Sequence, residues 1–150
     1  MPYRRVVVGT DGSDVAGAAV QQAADMAKAF DAELLIVTAF GSEPFPEGRT
    51  ENMLDDIRSQ ITDSGVAEGH AQAAARLAVQ RGVPANAVHP VSERGEPADA
   101  LITVAEEQGA DLLVVGSKGR TSASRFLLGN VPSKVSHHAP CDVIIVQPAS

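Results

Sequence analysis

The feature that most restricts the fold is a set of short aliphatic runs that are apolar at every position. They are Val6, Val7 and Val8; Leu34, Leu35, Ile36 and Val37; Leu112, Leu113, Val114 and Val115; and residues 143 to 146. A strand with one face in water alternates apolar and polar residues, whereas a strand covered on both faces has no reason to. The runs therefore predict central strands of a sheet that carries helices on both sides. A weaker strand is expected around residues 88 to 91.

Helical periodicity fills the intervals. Ala16, Val20, Ala23, Ala27 and Phe30 mark the inward side of a first helix, which Ser13 or Asp14 would cap. Residues 41 to 50, with Pro44, Pro46 and Gly48, read as a loop. Leu54, Ile57 and Ile61, then Ala71, Ala74 and Ala78, mark a long helical region that Gly65 and Gly69 are expected to kink or interrupt and Gly82 and Pro84 to stop. Pro97 opens a third helix with Ala100, Leu101, Val104 and Ala105 inward and Gly109 at its end. Asn130 as N-cap, with Pro132 in the first turn, opens a fourth. This alternation predicts an α/β fold: an open five-stranded parallel sheet with right-handed crossovers and helices on both faces. At 150 residues and 44% hydrophobic content the chain can bury one sizeable core, so a single domain over 1–150 is expected.

Charge and composition narrow the partners. A net charge of −7 argues against general affinity for DNA, RNA or anionic membranes, because phosphate polymers would be repelled. One small phosphorylated ligand is not excluded. No apolar stretch approaches the roughly 20 residues of a membrane span, the N-terminus lacks the pattern of a secretory signal, and the single Cys141 suits a reducing compartment. A cytoplasmic protein is expected.

In parallel sheets ligands sit beyond the carboxyl ends of the strands, and two such turns are rich in glycine. The first runs Gly9, Thr10, Asp11, Gly12, Ser13, Asp14. Its glycines allow positive φ or close backbone approach, and the Asp11 carboxylate at the tip is placed to accept from a ribose hydroxyl or an amide, or to meet a metal. A local turn bond is the alternative role. The second runs from Gly116, Ser117, Lys118, Gly119 and Arg120 to Gly129, Asn130 and Val131. Uncovered amides, two cations and a following helix start together make an anion-binding nest for phosphate. The chain has neither a Walker loop nor the GxGxxG dinucleotide fingerprint, and its second strand ends in Val37, Thr38, Ala39 and Phe40 without a ribose-binding acid.

With these residues in place the chain resembles the universal stress protein family over nearly its whole length. Gly116, Gly119 and Gly129 have the glycine spacing of the family's ATP-binding members; the opening GTDGS, a Gly-x-Pro at 95 to 97 and the ending HHAPCDVIIV are also similar. The resemblance implies a Rossmann-like, adenine nucleotide alpha hydrolase-like sheet in the order 3-2-1-4-5. It implies ATP as ligand, with Mg²⁺ reaching Asp11 through the nucleotide, and Gly9, Thr10 and Asp11 near ribose or adenine. Val37 and Thr38 would line the adenine pocket. Val115, Gly116, Lys118, Gly119, Arg120, Gly129, Asn130 and Val131 would surround ribose and phosphates. It further implies a homodimer through the last strand, Asp142–Val146. Where the family has Ser or Thr after the third glycine this chain has Asn130, whose amide lacks the hydroxyl. Cyclic AMP or AMP is therefore kept as the alternative ligand, since members with a similar LLGxVP segment bind cyclic AMP. A ligand-free interaction protein is the third reading.

Other chemistry is weaker. His137, His138 and Cys141 do not make a metal site, because adjacent helical histidines diverge and Pro140 separates them from the thiol. His70 and His89 stand isolated in the sequence. Nothing resembles a nucleophile with its base, so nucleotide binding with at most slow hydrolysis is expected rather than an enzyme.

Overall fold

The computed structural model describes residues 3–41, 53–117 and 130–147. Five strands, β1 (Arg5–Gly9), β2 (Glu33–Phe40), β3 (Val88–Arg94), β4 (Leu112–Gly116) and β5 (Asp142–Val146), form one parallel sheet in the order β3-β2-β1-β4-β5. Four α-helices, α1 (Asp14–Phe30), α2 (Met53–Gln80), α3 (Pro97–Gln108) and α4 (Asn130–His138), alternate with them among the described residues.

The fully apolar strands explain the layering. Val6, Val8, Leu34, Ile36, Leu112 and Val114 face α1 and α2, where Ala19, Val20, Ala23, Ala27, Ala74 and Ala78 meet them. Their alternate neighbours Val7, Leu35, Val37, Leu113 and Val115 face the other way, against Ala98, Leu101, Val104 and Ala105 of α3 and Val135 of α4. Val6, Val7 and Val8 are completely buried, and each such side chain contributes on the order of 2 kcal/mol.

Local chemistry sets the helix ends. Ser13 caps α1, its side chain accepting from the Ala16 amide, and Asp31 closes the helix in the left-handed conformation at φ 55°. Pro97 starts α3 and Gly109 ends it at φ 63°. Asn130 already lies inside α4 as its first residue, one place later than the cap position expected for it.

Three departures from the sequence expectation have simple causes. Phe30 is 37% exposed rather than inward, because as the last residue of α1 it overhangs the core and packs edge-on against Tyr3 at 5.4 Å. Gly65 and Gly69 do not interrupt α2, which is continuous for 28 residues. Both glycines are exposed and a Cβ there would meet nothing within 4 Å, so each costs only its propensity of about 1 kcal/mol, while Ala67, Ala71, Ala74 and Ala78 hold the opposite side in the core. The third strand extends to Arg94 rather than stopping near residue 91, because its pairing with β2 runs the full length from Val88 to Arg94.

Candidate functional site

The two ends of the sheet differ in how their polar groups are occupied. At the amino end Asp111 accepts from the amides of Arg4 and Arg5 at 2.8 and 3.0 Å, and Glu33 bridges Arg5 and His89, each at 3.3 Å. Those two partners hold the Glu33 carboxyl below its ordinary range, Arg5 first. His89 thus has a place in a surface ion cluster, away from the carboxyl-end turns.

At the carboxyl end, β1 and β4 lie side by side, Val8 opposite Val114. The chain leaves β1 toward β2 on one side and reaches β4 on the other, which makes this pair the switch point of the sheet. The turns that begin at Gly9 and Gly116, distant in sequence, therefore start from adjacent strand ends.

The first turn is fastened by its own side chains. Thr10 donates its amide to the Val37 carbonyl at 3.0 Å, extending the β1–β2 ladder. Thr10 Oγ1 accepts from the Gly12 amide at 3.1 Å and Asp11 Oδ1 from the Ser13 amide at 2.9 Å. Asp11 therefore makes the local turn bond. Gly9 serves packing, since a Cβ there would stand 2.9 Å from Leu101 Cδ1. Gly12 has φ +83°, a conformation L side chains rarely adopt, and a Cβ there would lie 2.7 Å from Nε2 of His70. His70 of α2 is thus brought onto this turn. Sequence reading missed it, since nothing local to residue 70 signals a partner at residue 12.

On β2, Val37 is 2% exposed with its side chain in the core facing α3, and its carbonyl is the one that accepts from the Thr10 amide. Thr38 is 4% exposed, and its Oγ1 has no hydrogen-bond partner among the described residues. On β4, Val115 is packed in the same core as Val37, and Gly116 ends the strand. Ser117 donates its amide to the Val146 carbonyl at 2.9 Å, but its buried Oγ also lacks a partner among the described residues. A buried hydroxyl without a partner costs about 1–3 kcal/mol, and both of these stand toward the carboxyl end of the sheet. Sequence reading named Ser117 within this turn but gave its side chain no role.

Lys118, Gly119, Arg120 and Gly129 lie outside the described residues. Of the second turn the structure describes the two ends, Gly116 at the end of β4 and Asn130 at the start of α4, with Val131 packed against the α3–α4 side of the core. Lys134 holds α4 to α3, reaching Asp99 at 2.8 Å and Glu96 at 3.6 Å. The Asp99 carboxylate first, then Glu96, raises the Lys134 ammonium above its ordinary range.

His137 faces the Ser133 carbonyl at 2.7 Å, and burial first, then Asp142 and Asp111, pushes the Cys141 thiol up to about 11. A thiol held protonated is a poor ligand and a poor nucleophile at neutral pH. Among the described residues no group of three or more His, Cys, Asp or Glu side chains stands ready to hold a metal ion.

Comparison with known proteins places this architecture. The model described as "Universal stress protein family" matches residues 2–147. A universal stress protein of Mycobacterium tuberculosis is 39% identical over 144 residues, covering 96% of each chain. The crystal structure of a universal stress protein in complex with cAMP covers 99% of this chain and 100% of its own, at 34% identity and a TM-score of 0.69. A universal stress protein from Lactobacillus plantarum, at 23% identity and a TM-score of 0.83 over 97% of this chain and 99% of its own, shares the fold.

Proposed function

The chain belongs to the universal stress protein family, and from that premise we propose that it binds an adenine nucleotide at the carboxyl ends of β1 and β4 as a sensor or regulator. The observation that carries the reading is that two glycine-rich turns begin at adjacent strand ends, Val8 opposite Val114. The buried hydroxyls of Thr38 and Ser117, without partners among the described residues, fit a ligand rich in hydroxyl and phosphate oxygens.

In this reading Asp11, Thr10, Val37 and Thr38 serve base and ribose. Residues 116 to 130, with Val131, serve the phosphates. ATP is the leading ligand, on the spacing of Gly116, Gly119 and Gly129, with Mg²⁺ carried in by the nucleotide near Asp11. Cyclic AMP is the second reading, favoured by the cAMP complex of a relative at 34% identity and by Asn130 in place of a hydroxyl residue. A cytoplasmic homodimer joined through β5 completes the proposal. Its support is the contrast between the sheet edges: β3 carries Pro90, which has no N–H to offer a further strand, whereas β5 is a half-buried run of Val and Ile. Hydrolysis is at most slow.

One titration tests the ligand. Protein freed of small molecules by unfolding and refolding is titrated with ATP in magnesium and challenged with cyclic AMP, by calorimetry. Saturable ATP heat that excess cyclic AMP does not displace supports ATP; the reverse order supports the cyclic nucleotide. No heat and no thermal shift with ATP, cyclic AMP or AMP would leave the ligand-free interaction protein.

A further inference from the structure

We propose that His70 is a positioning residue of the nucleotide site: from α2 it holds the β1–α1 turn at Gly12 and so fixes where Asp11 stands. The inference rests on the nucleotide-binding reading above and adds to it a residue from a helix the site did not include.

The geometry is that of a clamp. Nε2, Cε1 and Cδ2 of His70 stand 2.7, 2.8 and 2.9 Å from the point a Cβ of Gly12 would occupy, so the far edge of the ring rests on the glycine backbone. The helix that carries the ring is itself held. Ala67 and Ala71, on either side of it along α2, are 3% and 1% exposed in the core, so the backbone carrying His70 is anchored to the sheet independently of the turn. The turn needs an outside restraint because its pivot is a glycine at φ +83°, the residue with the widest choice of backbone conformations. Its own bonds, from the Gly12 amide to Thr10 Oγ1 and from the Ser13 amide to Asp11 Oδ1, are single hydrogen bonds in a partly exposed loop. Water can replace either at small net cost. A side chain packed on Gly12 removes the space into which the turn would open, and Asp11 and Ser13 on either side of that glycine keep their places.

Sites built on loops owe their precision to such supporting side chains, and a displaced ligand group weakens binding without unfolding the protein. The test compares His70→Ala, His70→Gln and His89→Ala, the last removing a histidine from the opposite end of the sheet. ATP affinity of each folded protein is measured by calorimetry, and stability without ligand by urea unfolding. His70→Ala is expected to bind roughly tenfold more weakly, within the range carried by contacts between neighbouring residues. His70→Gln, a planar amide of similar reach, recovers most of the affinity, and His89→Ala binds as the parent does. Loss of stability alone would not produce this pattern, because calorimetry of a fully folded sample reads only native molecules. If the parent binds ATP and His70→Ala binds it equally well, or if His89→Ala loses as much, the clamp is overturned while the nucleotide site stands. If the parent binds no adenine nucleotide, the site reading falls and takes the clamp with it.

Discussion

The turn after β1 and the turn after β4 leave neighbouring strands at the same end of the sheet, yet they are held in different ways. The first is tied by side chains within it: Thr10, Asp11 and Ser13 each satisfy an amide two or three residues ahead. The second is tied at its described ends by distant groups, the Ser117 amide by the Val146 carbonyl and α4 by Lys134 reaching to α3, and it leaves the Ser117 hydroxyl buried without a partner among the described residues. The contrast separates two tasks. A turn whose polar groups satisfy one another needs only packing at its pivot, where His70 stands against Gly12, to hold its carboxylate in place. A turn whose hydroxyl is unmet among the described residues would, in the proposed function, have a contact left for the nucleotide to make.

Four substitutions probe this contrast, and the largest effect is expected at the first turn's pivot. Gly12→Ala imposes positive φ on an L residue and drives a methyl into His70, so urea unfolding should show a loss of about 2 kcal/mol or more; a loss under about 0.5 kcal/mol would mean the turn is not the fixed unit described. Ser13→Ala removes the cap of α1, and the same assay should register about 1 kcal/mol. Ser117→Ala should behave in the opposite sense. Deleting a hydroxyl that has no partner among the described residues should leave stability unchanged or raise it by up to about 1 kcal/mol, while the thermal shift produced by ATP shrinks. A clear loss of stability instead would show that the hydroxyl is already satisfied, and would erase the difference between the turns. The smallest effect concerns Lys134. Its folded pKa is raised above the ordinary 10.5, so its contribution is fully present below that value and is lost as pH rises through the folded pKa. Lys134→Met should therefore lower the unfolding midpoint slightly at neutral pH, and the gap from the parent should close only in strongly alkaline buffer. A gap that closed near neutrality would mean that the ties to Asp99 and Glu96 do not hold α4.

The sheet was legible because its signal is local. Val6 to Val8 are apolar on both faces for a reason that needs no knowledge of their partners, and Ser13 caps a helix that begins one residue later. Exposure at helix ends and on helix backs was harder to read. Phe30 fits the periodicity of α1 but falls where the core has ended, and Gly65 and Gly69 look like breaks until both prove to face solvent. At the site, the glycines and Asp11 announce themselves by type, whereas His70 and Ser117 do not. His70 stands out through a contact with a residue on another element, and the Ser117 hydroxyl through a contact that is missing among the described residues. Neither is a property of the sequence around it.

The central place of β1 also bears on how the chain is made. Val6, Val7 and Val8 pair with β2 on one edge and with Leu112, Leu113 and Val114 on the other, and the amides of Arg4 and Arg5 wait for Asp111. On a ribosome adding about 5–20 residues per second, the partner of that second edge appears several seconds or more after β1 itself. Through that interval a fully apolar strand has an open edge, the condition under which nascent chains pair wrongly with one another. β1, β2 and β3 can associate early, whereas closure on the β4 side must follow synthesis of the later half. The arrangement that starts the two turns from adjacent strands thus leaves the first-made strand of the core among the last to be enclosed on both sides.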